Sequence, residues 1–131
     1  MNAELKRFLD SFGFDYRFVS SRKQYRGGTF DEGLEKLVDH RQAVRDVIVP
    51  TLRDWRKPRW SAFFPICENC GKLYTTSVED VDAGSKTIAY ECSREPKGMT
   101  SCGHTGEVPV TGGRVKVGWK IDWALRWFTF D

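Results

Sequence analysis

The sequence predicts a mixed chain of α/β class, α+β in the stretch given, with a small metal-stapled module set into its middle. Three observations predict it. A helical apolar pattern hands over to an alternating strand pattern across one glycine near the start. All four cysteines fall between positions 67 and 102. A strand-to-helix handover follows Gly112-Gly113. With 131 residues, the chain is long enough for one ordinary domain carrying such a module. The division expected is 1–60 for a helical and αβ part, 61–112 for the metal module, and 113–131 for a returning strand and helix.

From Asn2, the residues Leu5, Phe8, Leu9 and Phe12 recur at helical spacing, with Asn2 placed as N-cap and Gly13 in the stop position. Phe14, Tyr16 and Phe18 then alternate with Asp15, Arg17 and Val19, the pattern of a short half-buried strand. A helix passing to a strand across one glycine is half of a β-α-β wind, so a parallel sheet is expected, entered part-way through. Ser20 to Gly28 is polar, basic and ends in glycine, and reads as a loop. Thr29 and Glu32 have the spacing of a capping box, ahead of the stripe Phe30, Leu34, Leu37 and Val38. That stripe resumes at Val44, Val47 and Ile48 until Pro50 breaks it, with Leu52 and Trp55 in one further turn. His40 has polar neighbours and is expected to be exposed on a helix, not a ligand.

Lys57-Pro58-Arg59 marks a boundary before the cysteines. Cys67 and Cys70 form a C-x-x-C followed by Gly71; Cys92 comes next, then Cys102-Gly103-His104. Two sulfur pairs about twenty residues apart have the spacing of a zinc ribbon, in which two tight knuckles offer thiolates to one tetrahedral ion. The chain after a ligating cysteine must turn sharply, and Gly71 and Gly103 permit the positive φ this needs. The Ser93–Ser101 stretch makes the second knuckle longer than usual, and His104 is an alternative to Cys92 as fourth ligand. Disulfides and unrelated buried thiols are the other readings of four cysteines. Four protein ligands leave no open position, so the zinc expected here is structural. Lys72 to Ser77 and Thr87 to Glu91 are expected as strands joined by an acidic turn, Glu79 to Gly84, with Glu107 to Thr111 as a third.

A formal charge of +3 is modest but uneven: residues 1–60 hold 13 Lys+Arg against 9 Asp+Glu, and 61–131 hold 8 against 9. The densest point is Arg53, Arg56, Lys57 and Arg59, where phosphate contact and an ordinary solvated face are both open. No signal peptide or apolar run of transmembrane length occurs, so a cytoplasmic setting without a membrane partner is expected, and disulfides are disfavoured there. Beyond Gly113, Val115, Val117 and Trp119 alternate as a strand, and Asp122 is placed to cap a helix from Trp123. Trp123 and Trp127 read as a core stripe. Trp119, at the carboxyl end of its strand, stands where open α/β sheets bind ligands.

The run Trp119-Lys120-Ile121-Asp122-Trp123-Ala124-Leu125-Arg126-Trp127 closely resembles the WKxDWxxRW signature of class I lysyl-tRNA synthetases. Phe64-Pro65-Ile66-Cys67 resembles that family's lead into its metal-binding insertion, and Cys102 to Glu107 its exit. Tyr25, Gly28 and Phe30, the Ile48 to Leu52 run, and Val108 to Gly113 fit as well, so the resemblance covers nearly the whole chain. It implies a parent enzyme with a Rossmann-type catalytic domain that activates lysine with ATP and transfers it to tRNA. By that resemblance residues 1–60 and 113–131 belong to the catalytic domain, 61–112 are its zinc-binding insertion, and Trp119 lines the lysine pocket. The HIGH-like and KMSKS-like phosphate elements are not in this sequence, so the chain is expected to be an internal part of the enzyme, inactive alone. The apolar stop at Trp127 to Asp131 fits that expectation. A self-contained zinc-ribbon module that binds nucleic acid is the alternative.

Overall fold

Two short strands far apart in sequence stand side by side in the computed structural model, which describes residues 2–130. Strand β1 (Phe63–Pro65) pairs antiparallel with β5 (Val115–Val117), Phe63 opposite Val117 and Pro65 opposite Val115. Everything between them therefore leaves and returns at one place. That intervening stretch folds as a three-stranded antiparallel sheet of β2 (Thr76–Asp82), β3 (Thr87–Cys92) and β4 (Thr105–Pro109), with β3 central. β3 alternates strictly, burying Ile88, Tyr90 and Cys92, as a strand with one covered face must. The buried Thr76 joins the sheets: its hydroxyl donates to the Pro65 carbonyl at 2.7 Å.

The helices are α1 (Asn2–Ser11), α2 (Ser21–Arg26), α3 (Asp31–Asp39), α4 (Arg41–Ile48) and α5 (Trp119–Phe130), with 3₁₀ turns at Val49–Thr51 and Asp54–Arg59. The expected stripe of α3 is the heart of the core: Phe30, Leu34 and Val38 are fully buried, and Leu37 nearly so. α5 lies against it through Ile121 and Leu125, and Gly33 makes the approach possible, since a Cβ there would collide with Leu125 and press on Phe128. Lys86, at the β2–β3 turn, pairs with Asp39 at the end of α3 and ties the sheet to the helices.

Several expectations are corrected. Residues 14–19 form no strand, and both sheets among the described residues are antiparallel, so the parallel wind is not formed here. Alternation alone could not make a strand without a neighbour to pair with, and Phe14 is 65% exposed. Part of the Ser20–Gly28 loop is the helix α2. No capping box forms: α3 begins after Phe30, and the Thr29 hydroxyl donates to Gln24 instead. The stripe after Val38 breaks at His40, which is exposed between α3 and α4. Val47 is 70% exposed, and Trp55 sits exposed on the 3₁₀ turn while Leu52 precedes it. The acidic run Glu79 to Asp82 belongs to β2, with a register shift between Val78 and Asp80, and the turn follows it. Asp122 lies inside the first turn of a helix that starts at Trp119, so it caps nothing. The expected core pair Trp123 and Trp127 is 63% and 70% exposed. Met1 and Asp131 lie outside the described residues.

Candidate metal centre and the adjoining cleft

The four cysteines converge at one end of the three-stranded sheet. Their Sγ atoms all lie within 4.8 Å of one another, Cys67 to Cys102 at 3.6 Å and Cys70 to Cys92 at 3.8 Å. None is bonded to another, so the disulfide reading is not what the chain adopts. Four sulfurs at about 2.3 Å from a tetrahedral ion would stand about 3.8 Å apart, close to the Cys67–Cys102 and Cys70–Cys92 separations. His104 is outside the group.

Two pinched turns build the site. In the first, the Cys67 carbonyl accepts from Gly71 N–H at 2.8 Å, and Cys67 N–H donates to Lys72 O at 2.9 Å. In the second, the Cys92 carbonyl accepts from Gly103 N–H at 2.9 Å while Cys92 N–H donates to the His104 carbonyl at 2.8 Å. Gly71 and Gly103 adopt φ of +71° and +73°, as the sequence required. The second pinch answers the problem of the long Ser93–Ser101 excursion, because its base is closed by backbone bonds however far the loop extends. His104 contributes its carbonyl to that closure.

Burial grades across the site. Cys67 and Cys92 are buried, Cys70 is half-buried and Cys102 is exposed. Desolvation pushes the Cys67 thiol up to about 11, whereas a hydrogen bond from the Asn69 side chain leads in holding Cys102 down to about 6. The backbone N–H of Cys102 approaches Cys92 Sγ at 3.5 Å, and Cys92 Sγ is bonded to the buried Thr75 hydroxyl at 3.2 Å. Thiolates gathered so closely would repel one another without a cation between them, so the four close cysteines could bind a metal ion.

A cleft of about 460 Å³ opens beside β5 and the start of α5. Trp119 stands at it, 72% exposed. The residue is not in the strand as expected; β5 ends at Val117, and after Gly118 the helix begins at Trp119 itself. Beneath it lies a polar network that sequence reasoning missed. Tyr25 donates to Asp122 Oδ1 at 2.8 Å, Arg126 Nε donates to Asp122 Oδ2 at 2.5 Å, and Arg126 reaches the Ser21 hydroxyl at 2.6 Å. Burial, then the Asp122 bond, raises the Tyr25 hydroxyl well above its ordinary value. The Asp122/Arg126 spacing of four on a helix was the available signal. Tyr25, 97 positions away, could be placed only by the fold.

The chain as a whole, residues 1–131, is matched by the family described as tRNA synthetases class I (K), and it belongs to that family. It is 40% identical over 127 residues to a lysine–tRNA ligase of Rickettsia africae (strain ESF-5), a match covering 97% of this chain and 23% of the relative. A lysine–tRNA ligase of Rickettsia bellii (strain OSU 85-389) is similar at the same identity and coverage. One from Rickettsia akari (strain Hartford) is 39% identical, with 22% of its length covered. The chain thus spans under a quarter of the length of the curated relatives it matches.

Proposed function

We propose that this chain is a segment of a class I lysine–tRNA ligase, an enzyme that activates lysine with ATP and transfers it to tRNA in the cytoplasm. The observation that carries the reading is the 40% identity to lysine–tRNA ligases, sustained over 97% of the chain. Residues 1–60 and 113–131 are read as parts of the Rossmann-type catalytic domain, and 61–112 as its inserted zinc ribbon. The pairing of β1 with β5 supports the insertion, because it brings the two ends of the module together.

Zinc is the ion proposed for Cys67, Cys70, Cys92 and Cys102. An all-sulfur set favours a soft or borderline ion, and the spacing suits a tetrahedral one. A site closed by four protein ligands stabilises shape and activates nothing. Trp119 is proposed to line the lysine pocket: its exposed ring at the cleft can take the alkyl stem or the ammonium of the substrate on its face. The Asp122 network beneath fixes the first turns of α5 and so the position of the ring.

The test is made on the protein expressed from its complete gene. Lysine should be charged onto tRNA, and Trp119→Ala should weaken lysine use by about ten- to thirtyfold with the ATP dependence unchanged. An unaltered lysine dependence would remove Trp119 from the pocket. Failure of the complete protein to charge lysine would overturn the reading itself.

A further inference from the structure

The cysteine cluster is open on one side, and its short contacts run between the two turns. Cys67 and Cys70 come from the first turn, Cys92 and Cys102 from the second. Cys67 meets Cys102 at 3.6 Å and Cys70 meets Cys92 at 3.8 Å, so each contact takes one sulfur from each turn. A disulfide is about 2.05 Å long, and either pair would reach that length by closing less than about 2 Å. Of the four, only Cys102 is exposed, at the foot of the Ser93–Ser101 loop. Its neighbour Gly103 has no side chain to screen it, and even a Cβ there would meet nothing within 4 Å.

A metal-held sulfur is a thiolate, the form of cysteine that attacks electrophiles. Exposure therefore selects Cys102 as the sulfur that a small oxidant in solution reaches first. A hydroperoxide is such an oxidant. The Cys102 sulfur bonds to one peroxide oxygen, the O–O bond breaks, and hydroxide leaves and takes a proton from solvent. Cys67 then attacks the sulfur of the sulfenic acid so formed. The S–S bond forms as the S–OH bond breaks, and a second hydroxide takes a second proton. Two thiolates have lost two electrons, and hydrogen peroxide has become two waters. Cys70 and Cys92 remain, already in contact, and a second peroxide closes them by the same steps.

On the zinc reading above, we propose that the cluster is a site of reversible oxidation by hydroperoxides, entered at Cys102, in which the disulfides Cys67–Cys102 and Cys70–Cys92 take the place of the metal. After the first bond, two thiolates are too few to hold a tetrahedral ion, and it is released. Both new bonds join the turns that the metal joined. The end of the sheet thus stays closed, which sets oxidation apart from chelation. A dithiol reductant exchanges with both disulfides and returns the four thiolates.

The zinc-loaded chain is first treated with a limiting amount of iodoacetamide, and the alkylated peptides are identified by mass spectrometry. Cys102 should carry most of the label. Hydrogen peroxide is then titrated into fresh zinc-loaded chain, with released zinc read by a chromogenic chelator, disulfides mapped on unreduced peptides, and hydrogen exchange measured on the product. About two equivalents of peroxide should release the bound zinc. Cys67 should be found linked to Cys102 and Cys70 to Cys92, and β2, β3 and β4 should keep the protection that chelation removes. Dithiothreitol with added zinc should restore the starting metal content. Label spread evenly over the four cysteines, a Cys67–Cys70 bond, zinc retained under excess peroxide, or sheet protection lost as zinc leaves overturns the proposal and leaves the zinc reading intact. A chain that never takes up zinc overturns that reading, and the proposal with it.

Discussion

In the sheet that carries the thiols, Ile88, Tyr90 and Val108 are buried, and the strands are joined by a short turn and by the pinched base of a long loop. α1, in contrast, buries nothing. Its stripe was as clear in the sequence as any, yet Leu5, Phe8 and Phe12 are 48%, 60% and 58% exposed, and Phe12 meets its near neighbours Phe8 edge-on and Phe14 in a stack. α5 is divided between these conditions, with Ile121 and Leu125 buried against the core and Trp123 and Trp127 turned outward. The difference is one of locality. Antiparallel strands find their partners within a few tens of residues, and the cysteines fix the end of the sheet, whereas an amphipathic helix needs a second surface that periodicity cannot name.

The largest expected effect follows from breaking the local region at its proposed metal site. Chelation, or Cys70→Ala, should strip hydrogen-exchange protection from β2, β3 and β4 before α3, because structural zinc contributes on the order of 10 kcal/mol or more to such modules. His104→Ala should do far less, since the ring is outside the cluster. Equal damage from the two variants would mean that the fourth ligand is misassigned. A smaller but still large loss is expected in the helical core. Phe30→Ala should cost about 3–5 kcal/mol in denaturant unfolding, as its ring is fully buried and packs edge-on against Tyr25.

Tyr25 sharpens the comparison between α5's two faces. Tyr25→Phe leaves Asp122 with Arg126 alone and should cost about 1–2 kcal/mol. The tyrosine's folded pKa is raised above the ordinary value of 10.0, so its contribution is complete below that pH. It is lost as pH rises through the higher folded value. Alkaline unfolding of the parent chain should therefore begin above pH 10 and be flatter in Tyr25→Phe. The smallest effect belongs to the outward face: Trp127→Ala should change the stability of this chain by no more than about 0.5 kcal/mol. A loss of several kcal/mol would restore the tryptophan to the core stripe that the sequence suggested.

What was legible in the sequence follows the same division. The convergence of the four cysteines, the two glycines after them and the α3 stripe were legible because each reports a short-range requirement: sulfur pairs gathered by tight turns, a positive φ, a repeat every 3.6 residues. The Phe14–Phe18 strand and the buried Trp123 and Trp127 were misplaced because each assumed a partner element that alternation or spacing does not specify. The acidic turn was misplaced for a different reason. Glu79 and Asp80 are turn-like in composition, but the bulge between Val78 and Asp80 lets β2 continue through them. The Tyr25–Asp122–Arg126 network joins residues far apart in the chain. Asp122 with Arg126 had a signature in spacing; Tyr25 had none.

The central claim is that Cys67, Cys70, Cys92 and Cys102 hold one zinc ion between them. Zinc K-edge X-ray absorption on the purified chain, with metal content measured on the same sample, tests it most directly. The account predicts about one zinc per chain and a shell of four sulfurs at about 2.3 Å. A chain without zinc, or a shell in which nitrogen replaces one of the sulfurs, would contradict it.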